Sequence, residues 1–367
     1  MTVGGCAGVG QRASARASGQ TPNLPPGSCA AITTGALRSV AQRIYAQAAG
    51  GRNVAGARRR LARSVALAGA VARGDAKATR AALKPLLRSQ IHRIVVTTGG
   101  GRVLATFGRS PALAPVRGAV RDAAGRLVGR YTLSVAGQAS IRGVIASTTG
   151  ARVEIAHGVP ADSTVSVPAV AFPRGRLRIG LRIPAGDLRT CGPTRAATVA
   201  ATDLAIARRL FRAERSGPEA RRVLRTVAAD RQIRRAAQTD DAALLRTAII
   251  RFFRTPWMHV VRIRTTDAAG RLVGDVGGPY VLAPASAPIK GPGGAWIGRV
   301  TLSVQDDAGY IKLLHRFTGA TVQLRSPAGI VPGSGAIAAA AGSDRVVAFD
   351  ARAFPSGPLR VTLRVPA

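Results

Sequence analysis

Apolar residues in the first part of the chain recur at helical spacing. Leu37, Val40, Ala41, Ile44, Tyr45 and Ala48 fall on one face of a helix. A second helical stretch carries Leu61 and Val65. A third opens at Asp75, a natural N-cap, and runs to about Ser89, where Pro85 limits or kinks it. From Ile91 to Gly108 the period changes to that of strands, and two β-rich runs around Gly99-Gly100-Gly101 predict a hairpin. The same events return later. Ala200, Leu204, Ala207 and Phe211 share a helical face, as do Val223, Leu224, Val227 and Ala228. Thr239-Asp240-Asp241 caps a helix striped by Leu245, Ala248, Ile249, Phe252 and Phe253, and a hairpin spans Met258 to Gly277.

The return is a repeat of the sequence itself. LVGRYTLSV (Leu127 to Val135) recurs as WIGRVTLSV (Trp296 to Val304), TTGARVEI (Thr148 to Ile155) as FTGATVQL (Phe317 to Leu324), and AFPRGRLRIGLRIPA (Ala171 to Ala185) as AFPSGPLRVTLRVPA (Ala353 to Ala367). Tyr45 and Phe211 lie 166 residues apart, His92 and His259 167, and Arg130 and Arg299 169. The offset widens to 182 at Phe172 and Phe354, which places the extra residues in one late loop. So long a period is a domain duplication and not a solenoid. The chain divides into a leader or tether (1–28) and two repeats (29–190 and 191–367). Each repeat reads helices, β–β, loop, β, helix, β, β. The expected class is α+β, with a long N-terminal helical segment backing an antiparallel sheet in each half.

Composition changes the picture in two ways. Of 367 residues, 54 are Lys or Arg against 17 Asp or Glu, a formal net charge of +37. Clustered arginine suits phosphate backbones. Here, however, the arginines are scattered over helices and strands, and the aromatic content is 4%. Coding bias explains them better than a nucleic-acid site, and a cytoplasmic Arg-rich nucleic-acid binder stays as the alternative. The acid poverty makes the surface attractive to anions of any kind. Three cysteines are present. Val3-Gly4-Gly5-Cys6 resembles a bacterial lipoprotein box with Cys6 as lipid acceptor, although the basic and apolar stretches expected before it are missing; a chance V-G-G-C is the alternative. If Cys6 carries lipid, Cys29 and Cys191, each just before the first helix of its repeat, remain as a disulfide pair. No run is long and apolar enough to span a membrane.

The element order, with G-R-x-x-L-S-V followed by an amphipathic helix and T-G-A-x-V, resembles the Cache (PDC) type of PAS-like bacterial extracytoplasmic sensor domain. The matching residues are Ile94-Val95-Val96, Gly101-Arg102-Val103-Leu104-Ala105, Gly125 to Gly129, Leu133-Ser134-Val135, the helix Ser140 to Ser147, and Gly150 to Ile155. In the second half they are Gly270 to Val273, Ile297-Gly298, Leu302-Ser303-Val304 and Gly319 to Val322. The resemblance covers most of 30–185 and 192–367. It implies two tandem PAS-like domains, each with a small-molecule pocket over the sheet face opposite the long helix. The Arg-Trp-Tyr…Asp constellation of amino-acid-binding relatives is absent, as is any signalling output segment, so a separate membrane signalling partner is expected.

Catalytic chemistry finds little footing. His92, His157, His259 and His315 have no metal-ligand spacing, there is no G-x-S-x-G or P-loop, and no carboxylate pair stands out. The expectation is no enzyme, no cofactor and no metal. Alternation in the repeated strand puts Leu127, Tyr131, Leu133 and Val135 on one face and Arg130, Thr132 and Ser134 on the other. The second copy puts Trp296, Val300, Leu302 and Val304 opposite Arg299, Thr301 and Ser303. A guanidinium flanked by hydroxyls suits a small anion such as a carboxylate. The candidate ligand residues are therefore Arg130, Thr132, Ser134, Arg299, Thr301 and Ser303, with His92 and His259 at the hairpin starts. The loops at about 108–121 and 275–295 are expected to cover the site, the latter with Tyr280 and Lys290. The resulting expectation is an exported, membrane-tethered ligand-binding sensor. A structural envelope protein with vestigial pockets is a further alternative.

Overall fold

The computed structural model describes residues 25, 27–87, 91–189, 191–255, 258–337 and 345–366. Cys6 lies outside the described residues. The protein is a mixture of helices and antiparallel sheets, and both repeats run through the same main elements, the β3–β6 pair belonging to the first alone and β15 to the second. The first begins with the long helix α1 (Cys29–Gly50), followed by the short helices α2 (Arg52–Ala62), α3 (Val65–Ala72) and α4 (Ala76–Leu87). Strands β1 (Arg93–Thr98), β2 (Val103–Gly108), β4 (Val116–Arg121) and β5 (Leu127–Ser134) form a sheet in the order β2-β1-β5-β4; the two-residue strands β3 (Ala112–Leu113) and β6 (Ala136–Gly137) pair beside it. Helix α5 (Gln138–Thr149) leads to a second sheet, β7-β9-β8, from β7 (Arg152–Ala156), β8 (Val165–Val170) and β9 (Arg176–Arg182).

The second repeat has long helix α6 (Arg195–Ser216) and short helices α7 (Pro218–Ala228), α8 (Arg231–Thr239) and α9 (Ala242–Phe253). Its first sheet, β11-β10-β13-β12, holds β10 (Arg262–Asp267), β11 (Leu272–Gly277), β12 (Ala285–Lys290) and β13 (Trp296–Ser303). Helix α10 (Asp307–Thr318) precedes the sheet β15-β14-β17-β16, from β14 (Thr321–Ser326), β15 (Gly329–Ile330), β16 (Val346–Arg352) and β17 (Pro358–Arg364). Even irregularities repeat. Bulges fall at Val96/Thr97 and Thr265/Thr266, and Ala114 and Ala283 both adopt positive φ.

Three expectations need correction. The stretches 108–121 and 275–295 are not covering loops, because each contributes an edge strand, β4 or β12, that pairs with β5 or β13. Between the last two strands expected of each repeat lies a further one, β8 or β16. Alternation there is interrupted by Pro168 in β8, which hid the strand signal. Finally, the first sheet of each repeat is backed by the short helices: Leu61, Leu67, Val71 and Leu83 bury against Ile94, Val96, Tyr131 and Leu133. Val65, expected on that apolar face, is 80% exposed. Asp75 and Asp241 do cap α4 and α9, accepting from Ala78 N and Leu244 N.

The long helices go elsewhere. α1 and α6 pack on each other and on the second sheets, in a core drawn from both repeats that unites Leu37, Val40 and Ile44 with Ile206, Leu210 and Phe211. Each long helix also sends an arginine across to the other repeat. Arg43 donates to the Phe317 carbonyl at the end of α10 (3.2 Å), and Arg209 lies against Gly150 at the end of α5. Those ends carry left-handed glycines, Gly150 (φ 75°) and Gly319 (φ 82°), in the repeated T-G-A words. A cation there meets the negative end of the helix dipole.

Cys29 and Cys191 form a disulfide, with Cα atoms 5.5 Å apart, at the start of both long helices. A bridge spanning 162 residues removes loop-closure entropy from the unfolded chain worth about 2–5 kcal/mol. Cys191→Ala should accordingly lower the denaturation midpoint, and Cys29→Ala should lower it equally. Unequal losses, or none, in urea unfolding would show that the bridge does not hold this junction.

Candidate functional site

The repeated strand carries its expected faces only in part. Arg130 and Arg299 are exposed on the open faces of their sheets, beside Thr97 and Thr266 of the neighbouring strands. Thr132 is half-buried, and the Thr301 hydroxyl shares a 2.8 Å hydrogen bond with Ser286. Ser134 and Ser303 do not face a ligand. Both are buried, and each hydroxyl donates to a carbonyl of the preceding segment, Leu113 or Leu282. His92 is half-buried with its ring against Gly137, whereas His259 is exposed. Tyr280 is half-buried and its carbonyl accepts from Arg262; Lys290 is exposed on edge strand β12. The structure therefore does not gather these residues into one site.

Most of the repeated words serve the fold. A Cβ at Gly129 or Gly298 would collide with the carbonyl of Thr97 or Thr266, so only glycine lets these strands close up. The phenylalanine of each A-F-P word lies under an arginine from the first sheet, Phe172 under Arg93 (5.1 Å) and Phe354 under Arg262 (4.4 Å). Chemistry is better sought where the repeats differ.

The clearest difference lies on the long helices. With the 166-residue offset, Asp203 of α6 stands where α1 has the core residue Leu37. Asp203 is 3% exposed, and its carboxyl makes no hydrogen bond to another described residue. It faces a cavity of about 690 Å³ between α1, α6, the end of α10 and the chain beyond β17, with Ser39, Arg43, Arg195 and Thr318 also in its wall. Burial pushes the Asp203 carboxyl up to about 7, against the opposing pull of Arg43.

The other half shows what such a place can hold. The chain after β9 turns back over α1, and Asp187 puts both carboxylate oxygens 2.7 Å from the Arg209 guanidinium. Arg209 is the counterpart of Arg43. One arginine thus already holds a carboxylate, while its twin borders a cavity whose other wall, on α6, carries Arg195 and Asp203. Among the described residues no cluster of His, Cys, Asp and Glu is arranged to hold a metal ion. Sequence reasoning missed Asp203, although setting α1 over α6 exposes it as a carboxylate at a core position of a repeated apolar stripe, as Glu214 is at the place of Ala48.

Comparison with family models, with curated proteins and with solved structures finds no match to this chain.

Two tests follow from this geometry. Ser134→Ala or Ser303→Ala leaves a buried carbonyl unpaired and should cost about 1–3 kcal/mol, whereas Arg130→Ala and Arg299→Ala should stay within about 0.5 kcal/mol in denaturant unfolding. The Asp203 shift also has a definite sign. Folded protein keeps a proton there that the unfolded chain releases near pH 4, so stability falls as pH rises from about 4, and the penalty is complete above about 7. Asp203→Leu should flatten the melting profile over that window and add roughly 2–4 kcal/mol above it. A variant profile parallel to that of the parent would contradict this.

Proposed function

We propose that the chain is a non-catalytic, extracytoplasmic ligand-binding protein of the sensor type, built from two Cache-like, PAS-related repeats and serving a small anion. The observation that carries this reading is the arginine pair. Arg209 seats the Asp187 carboxylate, and Arg43, at the equivalent place, borders the cavity that contains Asp203. A carboxylate-bearing ligand would take the Arg43 fork, with Arg195 raising its local concentration and Asp203 meeting a polar group on the same molecule. Keeping an unpaired carboxyl in a core position costs stability, which is the usual mark of a residue retained for another purpose.

Export fits the disulfide, since such bridges persist in oxidising compartments. On this reading Cys6 is the lipid acceptor, a separate membrane protein relays the signal, and the chain's surplus charge attracts the anion. The open faces with Arg130 and Arg299 remain the competing location for the ligand.

Titration calorimetry with a panel of organic acids tests both locations. Arg43→Gln should weaken binding by about 1.5–3 kcal/mol, the worth of a charged hydrogen bond, and Arg130→Ala and Arg299→Ala should leave it unchanged. The opposite pattern would move the site to the sheets. Binding lost in none of the three, or absent from the parent, would remove the proposal.

A further inference from the structure

The second long helix also carries arginines that the first lacks. By the same offset, Arg208, Arg212 and Arg215 of α6 stand where α1 has Gln42, Ala46 and Ala49. They follow an i, i+4, i+7 pattern, so axial steps of about 6 and 4.5 Å separate neighbours on one face. These three line a groove of about 640 Å³ between α6 and β16. Across it, Arg352 ends β16 where β8 has Val170. Beside Arg209, four arginines therefore meet at a concave place whose counterpart in the first repeat has none of the four.

All four side chains are exposed, and among the described residues none is in ion-pair range of a carboxylate. The acid in the groove wall, Asp350, already pairs with Arg360, and Asp187 pairs with Arg209, each at 2.7 Å. The floor is apolar. Phe349 packs edge-on against Phe211 with ring centroids 6.0 Å apart, and the Arg208 guanidinium lies 5.8 Å over the Phe349 ring. The first repeat treats the same edge differently, because the Tyr45 hydroxyl accepts a 2.8 Å hydrogen bond from Val170 N. Phe211, its counterpart, has no hydroxyl with which to close the groove. Like charges at i and i+4 weaken a helix, so the stripe works against the fold that carries it.

We propose that this groove is a second binding site, distinct from the Arg43 cavity, for a ligand bearing linked or clustered phosphate groups. One carboxylate could satisfy only one wall. A di- or triphosphate presents oxygens to the α6 stripe and to Arg352 together, and guanidinium forks take phosphate oxygens two at a time. The same chemistry is offered by a soluble polyphosphate and by neighbouring phospholipid headgroups.

The test uses the full chain, calorimetric titration with inorganic tripolyphosphate, and co-sedimentation with phosphatidylglycerol vesicles. The triple variant Arg208→Gln/Arg212→Ala/Arg215→Ala installs the residues that the first repeat already carries. The reference variant Arg58→Ala/Arg59→Ala/Arg63→Ala removes three exposed arginines in and just after α2 and the same net charge. The α6 variant should weaken tripolyphosphate binding roughly 30-fold or more, as loss of several charged hydrogen bonds requires, and the α2 variant less than about threefold. Arg352→Ala, on the strand, should weaken it about tenfold and keeps the test open if the triple variant misfolds. Loss confined to the α6 variant supports the site in either arm: with tripolyphosphate it assigns a soluble ligand, and with vesicles alone it assigns headgroups. Equal losses in the α6 and α2 variants, or no binding of either probe by the parent, overturn it.

Discussion

Everything else in this protein hangs on the pairing of its two long helices. α1 and α6 are joined at their starts by the Cys29–Cys191 disulfide, bury Leu37, Ile44, Ile206 and Phe211 in one core, and exchange arginines between repeats. Arg43 holds the end of α10, and Arg209 sits at the end of α5. A duplicated chain could have formed two beads on a string. These contacts instead tie the second sheet of each repeat into a shared centre, and leave each first sheet to a separate core with its own short helices. The arrangement also creates two related seats beside the crossed arginines, of which Asp187 fills one.

Much of the local structure was legible in the sequence because it rests on short-range rules. Helical stripes, the caps at Asp75 and Asp241, the glycine-turn hairpins and the duplication follow from periodicity and turn chemistry. What escaped was set by partners far away in the chain. β4 and β12 are edge strands that read as loop, with Pro115 just before β4 and Pro288 inside β12, and only pairing with β5 and β13 makes them strands. Val65 looked like core because it is apolar and falls in helical register, yet Leu67 takes the buried place. Ser134 and Ser303 looked like ligand donors because alternation sets them beside arginines. It could not show that each is consumed by a carbonyl 21 residues upstream.

Agreement and disagreement between the repeats separate two kinds of residue. The shared words do mechanical work: glycines where strands close up, serines that pin the segment before β5 or β13, glycine caps under crossed arginines, and phenylalanines under guanidinium groups. Unshared residues gather on α6, where Asp203 replaces a core leucine and three arginines replace glutamine and alanine. Asp203 carries a desolvation cost in the core, and the arginines set like charges along one face of the helix. That is the reason for looking to this helix for the anion chemistry.

The unity of the two repeats around α1 and α6 is the claim on which both seats depend, and it can be measured without any ligand. Segments 25–190 and 191–366 should be expressed separately and followed by urea unfolding with the far-ultraviolet signal, and with tryptophan fluorescence for the second segment and the intact chain, since Trp257 and Trp296 both lie there. Neither should reach the cooperativity and midpoint of the intact chain, since each exposes its half of the shared core, and mixing them should restore a cooperative transition. Two segments that each unfold cooperatively at the midpoint of the intact chain, unaffected by mixing, would show two independent domains and contradict the account.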